Sequence, residues 1–86
     1  MIYRIEFAPR ADKAFRRLPR EAQVRIRTKI DGLASNPRPP GSVKMSGPEG
    51  FHRIRVGDYR VIYCIEDDIL LVLVVKLGHR RDIYRG

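Results

Sequence analysis

The sequence predicts an α+β domain in which a two-helix hairpin packs on one face of a largely antiparallel sheet of four to five strands. The first reason is the order of the periodic segments: a strand pattern, two amphipathic helical patterns, and then a run of strand patterns. The second is residues 52–63, where arginine alternates with apolar residues as in a strand buried on one side. Because 86 residues have room for one hydrophobic core, we expect residues 1–86 to form a single domain.

The N-terminal half contains one predicted strand and two predicted helices. Residues 2–7 alternate apolar and charged side chains, which indicates a half-buried strand. Pro9 is well tolerated in the first turn of a helix, and Pro19 ends that helix and begins the next. The apolar residues of the second helix recur every three or four positions, at Ala22, Ile26, Ile30 and Leu33. We therefore expect an amphipathic helical hairpin.

The C-terminal half is predicted to be mostly sheet. Residues 35–41 are rich in proline and form a linker between elements. A short strand around 43–45, a hairpin and a last strand over 69–77 are expected to follow. Because residues 69–75 are apolar without interruption, we expect the last strand to be central and covered on both faces.

Residues 52–63 form a predicted hairpin that gathers positive charge. Glycine in the pair Gly57-Asp58 suits the first central position of a two-residue turn. Such a turn places Arg55 opposite Arg60 and puts both, with Arg53, on the face away from the apolar residues. Like charges that face each other across two strands destabilise a sheet, so this face is better suited to bind an anion than to add stability. The competing interpretation is that the arginines are ordinary solvated residues and that Arg60 pairs with Glu66 or Asp82.

Composition supports an anionic partner. The chain has 18 Lys and Arg against 10 Asp and Glu, a net charge of +8 that favours nucleic acid or an acidic protein. A single cysteine allows no disulfide framework and no metal-ligand spacing, so a reducing, cytoplasmic setting is expected. The N-terminus lacks the apolar core of a signal peptide, and the longest apolar run is too short to span a bilayer. We expect a soluble protein with no membrane partner.

The tail is expected to meet the arginine face. A two-residue loop between Glu66 and Ile69 would place Arg60 opposite Val75 and bring His79 to the arginine side. His79 is then the one nearby group suited to acid–base chemistry near neutral pH. By the same alternation His52 falls on the apolar side, which favours a hydrogen-bonded core histidine over a catalytic one.

The whole chain resembles the RelE toxins of bacterial and archaeal toxin-antitoxin pairs, within the wider RelE/ParE superfamily. The resemblance rests on Leu18-Pro19, on residues 52–63 and on the ending at residues 78–84. It implies a ribosome-dependent endoribonuclease that cleaves mRNA with no metal or other cofactor. It also implies a cognate antitoxin that covers the basic face in a hetero-oligomer.

The resemblance also implies roles for individual residues. The implied catalytic residues are Arg55, Arg60, His79, Arg80 and Tyr84, and the implied RNA-binding residues are Lys44, Arg53, Arg55 and Arg81. Relatives often have lysine at the positions of Arg53 and Arg55, and the second is a candidate general base. A guanidinium keeps its proton at any working pH, so Arg55 is expected to stabilise charge instead. Neighbouring arginines favour a neutral His79, which is then expected to act as the base.

Two other functions are compatible with the sequence. A ParE-like toxin would share the fold and bind DNA gyrase without RNA chemistry. A catalytically weak binding module would use the basic face for its partner alone. RNA cleavage is favoured by the combination of Arg55, Arg60 and Arg80, which offer phosphate contacts, with Tyr84, which offers a stacking surface for a base.

Overall fold

The computed structural model describes residues 2–83, with side chains described only as far as Arg81, and its five strands form one mixed sheet in the order β1-β5-β4-β3-β2. The elements follow the chain as β1 (Arg4–Phe7), α1 (Pro9–Arg16), α2 (Arg20–Gly32), β2 (Val43–Lys44), β3 (His52–Val56), β4 (Tyr59–Glu66), β5 (Leu71–His79) and α3 (Arg80–Ile83). A 3-10 turn, Asp67–Ile69, connects β4 and β5. The predicted fold class is confirmed, and the sheet is mixed because β1 runs parallel to β5 while the other pairs are antiparallel.

The helical hairpin covers one face of the sheet. Pro9 stands in the first turn of α1, and the buried side of α2 consists of Ala22, Ile26 and Ile30. These residues form the core with one side of the central strands, where Val61, Tyr63, Val72 and Val74 are fully buried. The spacing of apolar residues therefore predicted correctly which side of α2 meets the sheet.

A hydrogen bond and an ion pair connect the linker between α2 and β2 to the sheet. The buried hydroxyl of Tyr63 donates a hydrogen bond of 2.7 Å to the carbonyl oxygen of Pro37. Next to it, the Arg38 guanidinium lies 2.9 Å from a carboxylate oxygen of Asp67, and the Tyr3 hydroxyl donates to the same carboxylate at 2.6 Å. Arg38 and the Tyr3 hydroxyl together hold the pKa of Asp67 below its ordinary value. These contacts hold the linker against the end of the sheet remote from the β3–β4 turn.

The register of β5 differs from the predicted one. The connection from β4 occupies four residues, since Glu66 pairs with Leu71, and a bulge follows where Ile62 pairs with Lys76 but Tyr63 pairs with Val74. The predicted pairing of Arg60 with Val75 is therefore wrong, and Arg60 lies opposite Gly78. Two added loop residues keep the alternation of faces, but the one extra residue of the bulge reverses it beyond Val75.

The predicted coverage of β5 is also only half right. The strand lies inside the sheet, between β1 and β4. Val72, Val74 and Leu77 are buried beneath the helices, whereas Leu71 and Leu73, which point to the other side, are half-buried. In the described part of the chain, no helix is long and apolar enough to cross a membrane.

Candidate nucleic-acid interface

The face of the sheet opposite the helices, called the open face below, carries the predicted arginines. In register it presents Arg53 and Arg55 on β3, Arg60 and Ile62 on β4, and Lys76 and Gly78 on β5. Val56 pairs with Tyr59 and Arg55 with Arg60, so the predicted two-residue hairpin is confirmed. Gly57 has a φ of 60°, a value that glycine adopts without a side-chain clash in such a turn.

Arg60 is the most unusual residue of the open face. Its side chain is only 8% exposed. One terminal nitrogen donates to the carbonyl oxygen of Tyr59 at 3.3 Å, while Nε is buried and forms no hydrogen bond within the described part of the chain. The ion pairs among the described side chains join other arginines to acids, at Glu6, Asp12, Asp31 and Asp67, so none joins Arg60 to Glu66. Asp82, the other acid considered for Arg60, lies outside the described side chains. A buried guanidinium with no carboxylate beside it is costly, and a bound anion would compensate that cost.

Arg55 and Arg53 flank this buried charge. Arg55 stands directly opposite Arg60 and is exposed, so it can meet a ligand in solvent. Arg53 pairs in register with Ile62, which is buried at 7% exposure although it lies outside the main core. The aliphatic stem of a long basic side chain can cover such apolar surface.

Lys76 also lies on the open face, although it was not among the residues predicted to bind RNA. Strict alternation from the predicted register puts Lys76 on the helix face, while the bulge places it opposite Ile62 and diagonal to Arg60. A signal was present in the sequence, because regular alternation between Val74 and Leu77 would turn a lysine towards the core. Since burying an ammonium group is costly, one extra residue in the strand is the better solution.

The C-terminal segment begins beside the hairpin turn. The backbone N–H of Arg80 donates to the carbonyl oxygen of Asp58 at 2.8 Å, which ties the start of α3 to the turn between β3 and β4. Arg80 and Arg81 are both exposed there, near the end of the sheet that carries Arg55 and Arg60. Tyr84, the expected stacking residue, lies outside the described residues.

His79 is not on the open face, so the predicted side of its ring is wrong. It pairs with Tyr59, and the two rings meet edge to face with centroids 5.7 Å apart and planes at 80°. A cleft of about 380 Å³ beneath α1 is lined by His79 together with Leu18 and Leu77. The bulge is the cause, since it exchanges the two faces of the last part of β5.

Lys44 and His52, which were also considered from the sequence, lie away from the arginines. Lys44 is exposed at the outer edge of the sheet and pairs with His52, so it shares the face of His52 and not that of Arg53. His52 is buried as expected, and its ring stacks on Tyr63 with centroids 5.7 Å apart. Its Nδ1 forms no hydrogen bond within residues 2–83, and burial, followed by the charge of Arg38, lowers its pKa.

A larger cleft opens beside the helices. It has a volume of about 590 Å³ and lies between the C-terminal half of α2, the linker and β3. It is lined by the apolar residues Pro39, Pro40 and Ile54 and by the basic residues Lys29 and Arg55. Through Arg55 this cleft adjoins the open face. Among the described side chains, His, Cys, Asp and Glu form no cluster of three that could hold a metal ion.

Comparisons with known proteins show that the chain is similar to toxins of toxin-antitoxin systems. A family model described as "ParE toxin of type II toxin-antitoxin system, parDE" matches residues 5–84. "Toxin RelE" of Mycobacterium tuberculosis is 31% identical over 84 residues, which cover 96% of this chain and 87% of that protein.

Solved structures agree with the sequence comparisons. The RelE of the archaeal RelE-RelB complex from Pyrococcus horikoshii superposes with a TM-score of 0.82 at 30% identity, over the full length of both chains. The E. coli RelBE toxin-antitoxin complex contains a chain with a TM-score of 0.79 at 22% identity, covering 92% of this chain and 96% of that one, which supports the fold.

Proposed function

The chain belongs to the RelE/ParE family of type II toxins, and we propose that it is an endoribonuclease that cleaves mRNA on the ribosome and thereby inhibits translation in the cytoplasm. The observation that carries the proposal is Arg60, a buried guanidinium with no acidic partner among the described residues, on a face shared with Arg53 and Arg55. Arginine binds phosphate with two parallel hydrogen bonds, so such a face suits an RNA backbone.

The proposed reaction is attack of a 2′-hydroxyl on the adjacent phosphate. The 2′-oxygen forms a bond to phosphorus, the bond to the 5′-oxygen of the next nucleotide breaks, and one proton moves from the first oxygen to the second. Arg55, Arg60 and Arg80 would stabilise the negative charge that develops on the phosphate oxygens. The products are a 2′,3′-cyclic phosphate and a 5′-hydroxyl, and no metal takes part in the proposed steps.

Other residues have supporting roles in this proposal. Arg53, Lys76 and Arg81 would contact the RNA backbone on either side of the cleaved phosphate, and Tyr84 would stack on a base. Lys44, at the far edge of the sheet, would meet RNA only at a distance from the cleaved bond. The expected base, His79, has its ring on the helix face, and the roles given to the arginines do not depend on it.

The test compares purified parent chain with Arg60→Met on ribosomes that carry a defined mRNA. We expect the parent to generate 5′-hydroxyl ends and Arg60→Met to cleave about 10²- to 10³-fold more slowly, the range measured when one charge-stabilising donor is removed. Because methionine fills similar space without a buried charge, urea unfolding should show a stability equal to or above that of the parent.

Arg10→Met is the matched control, since it removes the same charge from the exposed surface of α1. It should cleave like the parent. Ends that carry a 5′-phosphate, or equal cleavage by Arg60→Met and the parent, would contradict the proposed chemistry.

We also infer a cognate antitoxin as partner. The similar RelE of Pyrococcus horikoshii crystallised in complex with RelB, which supports a hetero-oligomer of the same kind here. A segment with acidic and apolar residues would suit the 590 Å³ cleft, where Pro39 and Ile54 offer apolar contact and Lys29 and Arg55 offer positive charge. Co-expression with the neighbouring reading frame, followed by co-purification, tests this partner.

Inhibition of DNA gyrase is the second candidate, because the family model that matches residues 5–84 is that of ParE toxins. A gyrase poison would leave mRNA intact and produce broken DNA after brief induction. A binding module without catalysis would produce neither. Mapping RNA ends and DNA breaks from the same culture separates the three functions.

A further inference from the structure

His79 makes a contact that a proton-transfer role would not require. It is the last residue of β5, directly before α3, and its Nδ1 accepts a hydrogen bond from the backbone N–H of Arg81 at 3.2 Å. An acceptor side chain just before a helix, bonded to the N–H of the second helical residue, is the geometry of an N-terminal cap. The imidazole thus satisfies a donor that the first helical turn leaves free.

The surroundings of the ring agree with a structural contact. Edge-to-face packing on Tyr59, at 5.7 Å between centroids, holds the imidazole on the helix side of the sheet. Arg60, the residue next to Tyr59, points to the opposite side. The sheet therefore stands between His79 and the face on which the RNA phosphate is proposed to bind.

The same contact determines where two arginines stand. Arg80 and Arg81 follow His79 directly, and the N–H of Arg80 is held by the carbonyl oxygen of Asp58 at 2.8 Å. Two hydrogen bonds, one from each arginine backbone, thus fix the direction in which α3 leaves the sheet. Without the cap, the bond to Asp58 would be the one that remains of these two.

We propose that His79 is a positioning residue, which caps the first turn of α3 and so holds Arg80 and Arg81 at the edge of the open face. The inference rests on the proposed RNA cleavage for its effect on rate, but the cap itself can be measured without RNA. In this role His79 exchanges no proton with substrate. Its Nδ1 must carry a lone pair, so the hydrogen of the neutral ring is on Nε2.

Three substitutions distinguish a cap from a base. The Oδ1 atom of asparagine occupies the place of Nδ1 and is a strong capping acceptor, whereas the Oε1 atom of glutamine corresponds to Nε2, and alanine has no acceptor. A cap predicts that His79→Asn retains activity while His79→Gln and His79→Ala lose it. A general base predicts that all three lose it, because neither amide exchanges protons near neutral pH.

The experiment measures mRNA cleavage on ribosomes by the full-length chain and its variants. We expect His79→Asn to cleave within about 2-fold of the parent, and His79→Gln and His79→Ala to be about 5-fold slower, inside the roughly 2- to 30-fold range that loss of a cap allows. A loss of 10²-fold or more in all three variants would overturn the proposal and restore the general-base role.

Amide hydrogen exchange in the free proteins gives the second readout. The Arg81 amide should exchange about 5-fold faster in His79→Gln and His79→Ala and at the parental rate in His79→Asn. The Arg80 amide, bonded to Asp58, is the internal control and should change less. Unchanged exchange at Arg81 in all variants would refute the cap. If the parent cuts no mRNA but Arg81 responds as expected, the proposed function fails and the cap stands.

Discussion

At the scale of single residues, burial separates side chains that the sequence presents as equivalent. Arg55 and Arg60 face each other across the hairpin, yet Arg55 is exposed and Arg60 is 8% exposed. A surface arginine has many ordinary functions, but a buried one with no carboxylate among the described residues lowers stability. The burial of Arg60 is therefore stronger evidence for an anionic ligand than the alternation of residues in β3 is.

His52 provides a pH prediction for stability. Its pKa is lowered by burial and next by the charge of Arg38; Lys44 acts in the same direction, whereas a backbone hydrogen bond at Gly50 and the charge of Asp67 oppose them. A lowered folded-state value means that the unfolded chain binds the proton more tightly. Stability is therefore fully present above about pH 6.5, the unfolded value, and decreases as the pH falls through that value towards the lower folded one.

The measurement is urea unfolding of the parent and His52→Phe between pH 7.5 and 5. We expect the parent to lose stability with a slope of at most about 1.4 kcal/mol per pH unit, and His52→Phe, which keeps a ring against Tyr63, to show a shallower dependence. Identical slopes would show that His52 does not bind a proton differently in the two states.

At the scale of elements, the turn between β3 and β4 depends on one backbone conformation. Gly57 has a φ of 60°, where a residue with a Cβ atom is disfavoured. A Cβ atom at this position would also lie 2.9 Å from a terminal nitrogen of Arg25, which extends from α2 over the turn. Both the backbone conformation of Gly57 and the side chain of Arg25 on α2 therefore favour glycine at this turn.

We expect Gly57→Ala to lower the free energy of unfolding by about 1–2 kcal/mol, measured by urea denaturation. Gly50→Ala is the matched control, because Gly50 has a φ of 69° but its Cβ would meet nothing within 4 Å. Any loss beyond that of the control is crowding by Arg25, and Arg25→Ala should relieve it. A Gly57→Ala variant as stable as the parent would contradict this account of the turn.

The bulge in β5 has the largest consequence of any local irregularity. It lets Val74 and Leu77 both face the core while Lys76 faces away, and it carries His79 to the helix side. Regular alternation would have placed Val74 and Lys76 on one face and Leu77 on the other, so it would have buried the lysine with Val74, or Leu77 without Val74. One extra residue thus changes which side chains share a face with the arginines.

At the scale of the whole molecule, the two faces of the sheet differ in chemical character. One side is joined to the helices by the core, and the other gathers Arg53, Arg55, Arg60 and Lys76 around Ile62. The net charge of +8 attracts any polyanion from a distance, and on the open face several positive charges lie close together. We therefore expect RNA affinity to depend on where a charge lies as well as on how many there are.

Salt dependence tests this expectation. Lys76→Met should reduce the slope of log affinity against log salt concentration by about 0.7 for single-stranded RNA, since one phosphate contact is lost. Lys13→Met removes the same charge from the last turn of α1 and should leave the slope unchanged. Fluorescence anisotropy with a 2′-O-methyl oligonucleotide, which cannot undergo the proposed attack, measures both. Equal slopes for the two variants would refute a special role of the open face.

The sequence by itself determined the fold class, the buried side of α2, the two-residue turn at Gly57 and the common face of Arg53, Arg55 and Arg60. These features depend on periods of two or 3.6 residues and on turn chemistry, which act between near neighbours. Only the tertiary structure decided the parallel pairing of β1 with β5, the burial of Arg60 and the sides taken by Lys76 and His79. They depend on which apolar residues of distant segments are buried together, and that competition is resolved only when the strands and helices pack.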